Sequence, residues 1–166
     1  MCHSAGGNAA SGSSDKTGVR VVVPLAASST TAASSTLESV LYLGGTADSV
    51  VAYDQTVSGY EGSASPRRLV GIENAGHLAF SDICALQNDA GQNLIEIATE
   101  AGVCGVQFAG FLFDCDPGYI ADEQSWDIVH YSSSAVLEEV LHCRPGPNLA
   151  DIGSVLPGVA EYQESL

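Results

Sequence analysis

Three residues in the first half of the chain have the types that a hydrolytic catalytic triad requires. Ser4 lies in residues 2–6, CHSAG, which have the form of a G-x-S-x-G nucleophile elbow with Cys2 in place of the first glycine. Asp48 and His77 follow later, each after a glycine-containing stretch. A serine hydroxyl is a weak nucleophile at neutral pH, so a histidine must accept its proton while a carboxylate orients the imidazole. The order Ser, Asp, His therefore predicts nucleophilic attack on a carbonyl carbon.

Each of the three residues also has a simpler interpretation. Ser4 could be an ordinary polar loop residue among small neighbours, and His77 an ordinary surface histidine. Asp48 could cap the helix that follows it, because its side-chain oxygen can accept a hydrogen bond from a backbone N–H group in the first helical turn. The order of the three residues and their places after predicted elements favour the triad.

To act together, these side chains must be brought to one place by the elements around them. Apolar runs predict buried strands at 19–23, 40–43 and 68–72, and an i, i+3, i+7 apolar stripe predicts a helix at 49–58. Strands that alternate with helices at this spacing need crossover connections, so we expect a parallel α/β sheet. Asp48 and His77 then follow the carboxyl ends of strands, where open α/β sheets place their sites.

The second half of the chain is more helical in pattern. We predict helices at 81–87, 93–101 and 134–142, an irregular Gly- and Phe-rich segment at 104–119, and one helical turn at 159–163.

Three motifs carry a resemblance to a known family: HSAGG at 3–7, GTAD at 45–48 and AGHLAFSD at 75–82. Together they resemble the α/β-hydrolase superfamily, specifically its dienelactone-hydrolase-like and cutinase-like branch, with its bacterial polyester hydrolases and relatives of platelet-activating-factor acetylhydrolase. The resemblance implies a serine hydrolase that acts on small or polymeric carboxylic esters through an acyl-enzyme and needs no cofactor. It also implies the nucleophile, acid and base roles for Ser4, Asp48 and His77.

The same resemblance implies an incomplete domain. The oxyanion that forms during ester attack needs two donors, of which the backbone N–H of Ala5 is one; the second normally comes from a loop after an earlier strand. No such strand precedes Ser4, and the sequence shows only about the last three parallel strands of the family's sheet. We therefore expect residues 1–143 to be the carboxy-terminal part of an α/β-hydrolase domain, truncated at its N-terminus, and 144–166 to be a tail. The alternative is a non-catalytic fragment that is stable only with a partner chain.

Composition excludes several partners. Five Lys and Arg against 20 Asp and Glu give a net charge of −15, which would repel nucleic acid and anionic lipid surfaces. No window has the roughly 18 consecutive apolar residues of a membrane span, and the first residues lack a signal-peptide pattern, so localisation stays open. Oligomeric state also stays open.

Cysteines and possible metal ligands complete the set of chemically relevant residues. Four cysteines other than Cys2 are present: Cys84, Cys104, Cys115 and Cys143. They would suit two disulfides in an exported protein, which can be arranged in three ways. Alternatively, they could be buried thiols in a cytosolic protein. Asp114, Asp116 and Gly118 do not meet the spacing of an EF-hand loop. His130 and His142 form no zinc-binding pattern with the cysteines, so no metal is predicted.

Overall fold

The computed structural model describes residues 3–111, 114–115, 118–141 and 148–166, with side chains described at all of these except 3–5, 110 and 111. Within this part of the chain, four strands form one sheet in the order β1-β2-β3-β4. The strands are β1 (Val21–Val22), β2 (Ser39–Gly45), β3 (Arg67–Ile72) and β4 (Val159–Ser165). The first three are mutually parallel, and β4 pairs antiparallel with β3. The protein is thus a mixed α/β structure with an open, mostly parallel sheet.

Helices cover both faces of this sheet. The α-helices of the described residues are α1 (His3–Ser11), α2 (Tyr53–Glu61), α3 (Leu94–Glu100), α4 (Asp122–Leu141) and α5 (Ile152–Val155). Short 3₁₀ helices occupy His77–Phe80, Ile83–Ala85, Val106–Phe111 and Leu149–Asp151. None of the helices in the described ranges has the length and apolar character that crossing a membrane requires.

The buried strand β2 explains why two layers of helix are needed. All seven of its residues are buried, and successive side chains of a strand point to opposite faces. Leu41 and Leu43 pack in a cluster with Ile128 and Val136 of α4. Val40 and Tyr42 pack on the other face in a cluster with Tyr60 of α2. A strand that is apolar on both faces is stable only between two covering layers, as in this fold.

The predicted strands 40–43 and 68–72 are confirmed with slightly wider bounds, whereas 19–23 is reduced to Val21–Val22. At one end, the Arg20 carbonyl accepts from both Glu38 N and Ser39 N, which disturbs regular pairing. At the other end, Pro24 has no N–H to donate, and pairing resumes only as a single bridge between Leu25 and Leu43.

Three of the predicted helices differ from the structure. The helix predicted at 49–58 begins later, at Tyr53, because Asp48 binds the backbone of the preceding residues in a turn. The helix predicted at 81–87 is reduced to the single 3₁₀ turn Ile83–Ala85, because the backbone of Ser81 is extended. The helix predicted at 134–142 is the second half of the longer α4, and His142 lies outside the described residues.

The remaining predictions have mixed outcomes. The helix predicted at 93–101 is confirmed as α3, which begins with a reciprocal capping box between Asn93 and Glu96. Part of the segment predicted to be irregular at 104–119 forms the 3₁₀ helix Val106–Phe111. The helical turn predicted at 159–163 is wrong, because these residues belong to β4. The free edge of β3 offers backbone groups that an extended segment can pair with, and this outweighs local helical tendency.

Candidate active site

Asp48 and His77 form a buried hydrogen-bonded pair. The distance from His77 Nδ1 to Asp48 Oδ2 is 2.9 Å, and the exposed fractions of the two side chains are 7% and 1% respectively. Asp48 lies just beyond β2 and His77 just beyond β3, and β2 and β3 are neighbouring parallel strands. The two residues therefore meet at the carboxyl edge of the sheet, as the sequence predicted.

The Asp48 carboxylate is held from two sides. Its Oδ1 accepts hydrogen bonds from the backbone N–H groups of Val50 and Val51, each over 2.8 Å. Its Oδ2 is left to accept from His77 Nδ1, so that nitrogen carries the proton and Nε2 becomes the acceptor nitrogen of the neutral ring. The sequence-based alternative of a helix-capping role is wrong, because the N-cap of α2 is Ala52 and no side chain caps it. One oxygen of Asp48 instead organises the turn before α2, while the other orients the imidazole.

The loops after β2 and β3 are bonded to one another along their length. Ala47 N donates to the Ala75 carbonyl over 3.0 Å, and Asn74 N donates to Thr46 Oγ1 over 2.9 Å. A side chain at Gly45 would overlap the Ala75 carbonyl, so glycine allows this close approach. The two loops form one unit that sets the distance between Asp48 and His77.

The helix that begins at His77 is anchored by α4. All four residues of His77–Phe80 are buried. Ser125 Oγ donates to the Ala79 carbonyl over 2.7 Å, and Trp126 Nε1 donates to the Ser81 carbonyl over 3.1 Å. Sequence reasoning missed the roles of Ser125 and Trp126, because the helix predicted at 134–142 begins after them.

Ser4 falls in the first turn of α1, but its side chain lies outside the described residues. Helix α1 and the helix His77–Phe80 approach each other, with Cα atoms closer than 8 Å. The role of Ser4 as nucleophile stays a prediction. The Ala5 backbone also lies in the first turn, where N–H groups have no partner within the helix.

The position of α1 is set by its middle residues. A side chain at Gly7 would overlap the Leu25 carbonyl and come within 2.8 Å of Ala27 Cβ. Asn8 Oδ1 accepts from the backbone N–H groups of Ser28 and Ser29 over 3.1 and 2.9 Å. Helix α1 therefore packs directly on the chain that follows β1.

One disulfide joins the segment after His77 to the segment before α4. Cys84 and Cys115 are bonded, with 5.3 Å between their Cα atoms. Cys104 is a free, exposed thiol in the turn that follows α3, so both the disulfide and the buried-thiol predictions are wrong for it. Cys143, like Cys2, lies outside the described residues. The disulfide borders a cavity of about 270 Å³ that Asp114, Tyr119 and Asp122 also line.

Charged residues near this cavity do not form a metal site in the described part of the chain. Among those residues, no three His, Cys, Asp or Glu side chains are grouped so that they could hold a metal ion. Asp114 instead accepts a hydrogen bond from Leu78 N over 3.0 Å, and Asp116 lies outside the described residues. Burial, together with the nearby Glu123, raises the pKa of the Asp122 carboxyl.

Comparisons with known proteins do not assign a family. No protein-family model matches the chain, and no curated protein matches it significantly.

Proposed function

We propose that this protein is a serine hydrolase that cleaves carboxylic esters, with Ser4 as nucleophile, His77 as base and Asp48 as the acid of the triad. The observation that carries the proposal is the buried hydrogen bond between Asp48 and His77 at the carboxyl edge of parallel strands. It supplies the oriented base that an otherwise unreactive serine hydroxyl requires.

The chemistry follows from the proton positions. His77 Nε2 accepts the Ser4 hydroxyl proton while Ser4 Oγ attacks the ester carbonyl carbon, and the imidazolium is stabilised by Asp48. The Ala5 backbone N–H donates to the oxyanion. The tetrahedral intermediate collapses, and His77 returns the proton to the leaving alcohol, which leaves an acyl-enzyme. Water activated by His77 then hydrolyses the acyl-enzyme and releases the carboxylic acid.

The packing of α1 supports the nucleophile assignment. Gly7 allows α1 to lie against the backbone at Leu25, and the helix approaches the element that begins at His77. In this proposal, Ser4 in the first turn of α1 takes the position relative to His77 that a nucleophile elbow gives its serine. On this basis, we extend the proposal to the α/β-hydrolase fold family that the motifs resemble.

The acidic surface bears on the substrate. A net charge of −15 disfavours polyanionic molecules, so neutral or cationic esters, small or polymeric, are the proposed substrate class.

The alternative is a non-catalytic α/β unit that is stable only when paired with another chain. The observation that favours it is the sheet edge at β1, which pairs only with β2 in the described part of the chain. An unpaired edge can add a strand from a partner.

Labelling with a fluorophosphonate probe tests both candidates. We expect labelling at Ser4, abolished by Ser4→Ala and strongly slowed by His77→Ala, together with hydrolysis of p-nitrophenyl butyrate. Ser58→Ala, on the exposed face of α2, is the matched control and should label normally. A folded protein that neither labels nor hydrolyses the ester would overturn the hydrolase proposal. Light scattering that finds folded protein only in complexes would favour the alternative.

A further inference from the structure

We propose that Asp114 is a positioning residue for His77, held in place by the Cys84–Cys115 disulfide. The inference rests on the proposed function for its catalytic meaning, but its geometry stands independently. Asp114 lies 36 residues away from the backbone N–H that it binds, on the segment that leads towards α4.

The first contact is made immediately after His77. Asp114 Oδ1 accepts a hydrogen bond from the backbone N–H of Leu78 over 3.0 Å, and the bond is buried. Because Leu78 N belongs to the peptide group that follows His77, this bond restrains the backbone from which the imidazole projects.

The second contact is made immediately before His77. A Cβ atom at Gly76 would overlap the Asp114 carboxylate at Oδ2, so the carboxylate packs directly on the Gly76 backbone. Asp114 therefore touches the residues on both sides of His77, while Asp48 binds the imidazole itself.

The second carboxylate oxygen of Asp114, Oδ2, indicates that this residue does more than stabilise the fold. Oδ2 is fully enclosed and makes no hydrogen bond with any described residue. An enclosed polar atom without a hydrogen-bond partner lowers the free energy of unfolding. Stability alone therefore does not explain an aspartate at this position. Asparagine would keep the Oδ1 acceptor for Leu78 N, and alanine would remove it.

The disulfide sets where Asp114 can lie. Cys115 is its chain neighbour and is bonded to Cys84, which lies in the helix Ile83–Ala85 shortly after His77. The covalent link thus ties the backbone beside Asp114 to the element that follows His77–Phe80. If the disulfide acts through Asp114, removing the disulfide should have little further effect in a variant that already lacks the Asp114 carboxylate.

The first test compares kcat and KM for p-nitrophenyl butyrate. Asp114→Ala should lower kcat at least about 10-fold with KM within about twofold, because a small displacement of a catalytic group costs rate more than binding. Asp114→Asn should stay within about threefold of the wild type, since it keeps the acceptor. The double variant Cys84→Ser/Cys115→Ser should show the same loss of kcat as Asp114→Ala. A variant that carries all three substitutions should lose less kcat than the product of the two separate losses. Asp127→Ala, on the exposed side of α4, is the control and should match the wild type.

The second test observes His77 without requiring activity. Long-range ¹H–¹⁵N correlation spectra, assigned with His77→Gln, report the tautomer and hydrogen bonding of its imidazole. We expect the His77 signals to change in Asp114→Ala and in the double cysteine variant, and to be retained in Asp114→Asn. The proposal would be overturned if Asp114→Ala and the double cysteine variant both kept the wild-type His77 signals and the wild-type kcat.

The two tests keep this proposal distinct from the proposed function. If the wild type shows neither hydrolysis nor probe labelling, the hydrolase proposal fails, and the imidazole spectra alone then decide whether Asp114 positions His77. If Asp114→Ala does not fold by circular dichroism, the double cysteine variant decides: unchanged His77 signals overturn the proposal, and changed signals support it.

Discussion

The Asp48 carboxylate connects His77 to the turn that follows β2. Its Oδ2 accepts from His77 Nδ1 over 2.9 Å, and its Oδ1 accepts from the N–H groups of Val50 and Val51 over 2.8 Å. A single side chain thus has a chemical role and a structural role, carried by different oxygens. Substitutions that remove one role at a time can separate them.

Asp48→Asn should affect hydrolysis far more than stability. Asparagine can still accept from Val50 and Val51, but its amide group would face His77 Nδ1 as a donor and favour the wrong imidazole tautomer. Under the proposed function, we expect kcat to fall on the order of 10⁴-fold. Asp48→Ala should lose comparable activity and also lower the free energy of unfolding by about 1–3 kcal/mol, since it leaves buried N–H groups unpaired. Urea unfolding of both variants beside esterase assays measures the difference; equal stability of the two variants would contradict the structural role.

Gly7→Ala tests how α1 is placed. The added methyl group would overlap the Leu25 carbonyl and crowd Ala27, so α1 must move away from the sheet. We expect a loss of about 1–3 kcal/mol in the free energy of unfolding, as for other overpacked sites, and a slower rate of fluorophosphonate labelling.

Gly12→Ala is the matched control for that change. The nearest atoms to an added Cβ at Gly12 are 3.5 and 3.7 Å away, which is ordinary contact. It should leave stability and labelling close to wild type. If Gly7→Ala behaves in the same way, the packing argument for α1 is wrong.

Arg68 joins the sheet to α4 from a buried position on β3. Its guanidinium donates to Ser39 Oγ over 2.8 Å and to both carboxylate oxygens of Glu139 over 3.0 Å. Arg68→Met should lower the free energy of unfolding by about 2–4 kcal/mol, less than for a fully buried ion pair because Glu139 can regain water. Glu139→Gln should cost only about 1 kcal/mol or less, because Glu164 Oε2 still lies 3.9 Å from Arg68 Nε and the glutamine oxygen can still accept a hydrogen bond. Thermal unfolding of the two variants compares them. A larger loss for Glu139→Gln than for Arg68→Met would contradict this ranking.

Stability should fall at alkaline pH because of Tyr53. Burial, and then the hydrogen bond of its hydroxyl to Glu161, raise the pKa of Tyr53 well above its usual value. A group whose pKa is raised in the folded state contributes stability that is present below the unfolded pKa and lost as pH rises above it, here above about pH 10. Other tyrosines titrate in the same range, and burial together with the hydrogen bond to Glu164 also raises the pKa of Tyr162, so the share of Tyr53 has to be measured against Tyr53→Phe.

The measurement is the urea midpoint at pH 8 and near pH 11. We expect the wild type to lose more stability between these values than Tyr53→Phe does, since phenylalanine cannot ionise. Identical losses in the two proteins would show that Tyr53 does not contribute to the alkaline transition.

The sequence by itself determined the central strands, helix α3 and the placement of Asp48 and His77 after the carboxyl ends of strands. Apolar runs and capping residues act through neighbours along the chain, so local pattern was sufficient for β2, β3 and α3. Parallel strands bring their carboxyl ends to one edge, so the sequence predicted that Asp48 and His77 lie at the same edge of the sheet. The pairing of β2 with β3 in the folded protein then brings the two side chains into contact.

Only the tertiary structure decided the features that depend on distant partners. Residues 159–165 became an antiparallel strand because β3 offered an edge, and α2 began at Tyr53 because Asp48 binds the turn before it. The Cys84–Cys115 bond occurs in one of the three two-disulfide arrangements that the sequence allowed, and the bond from Asp114 to Leu78 N had no local signal at all. Contacts between residues far apart in the chain depend on how the whole sheet packs, and no local pattern of residues encodes that.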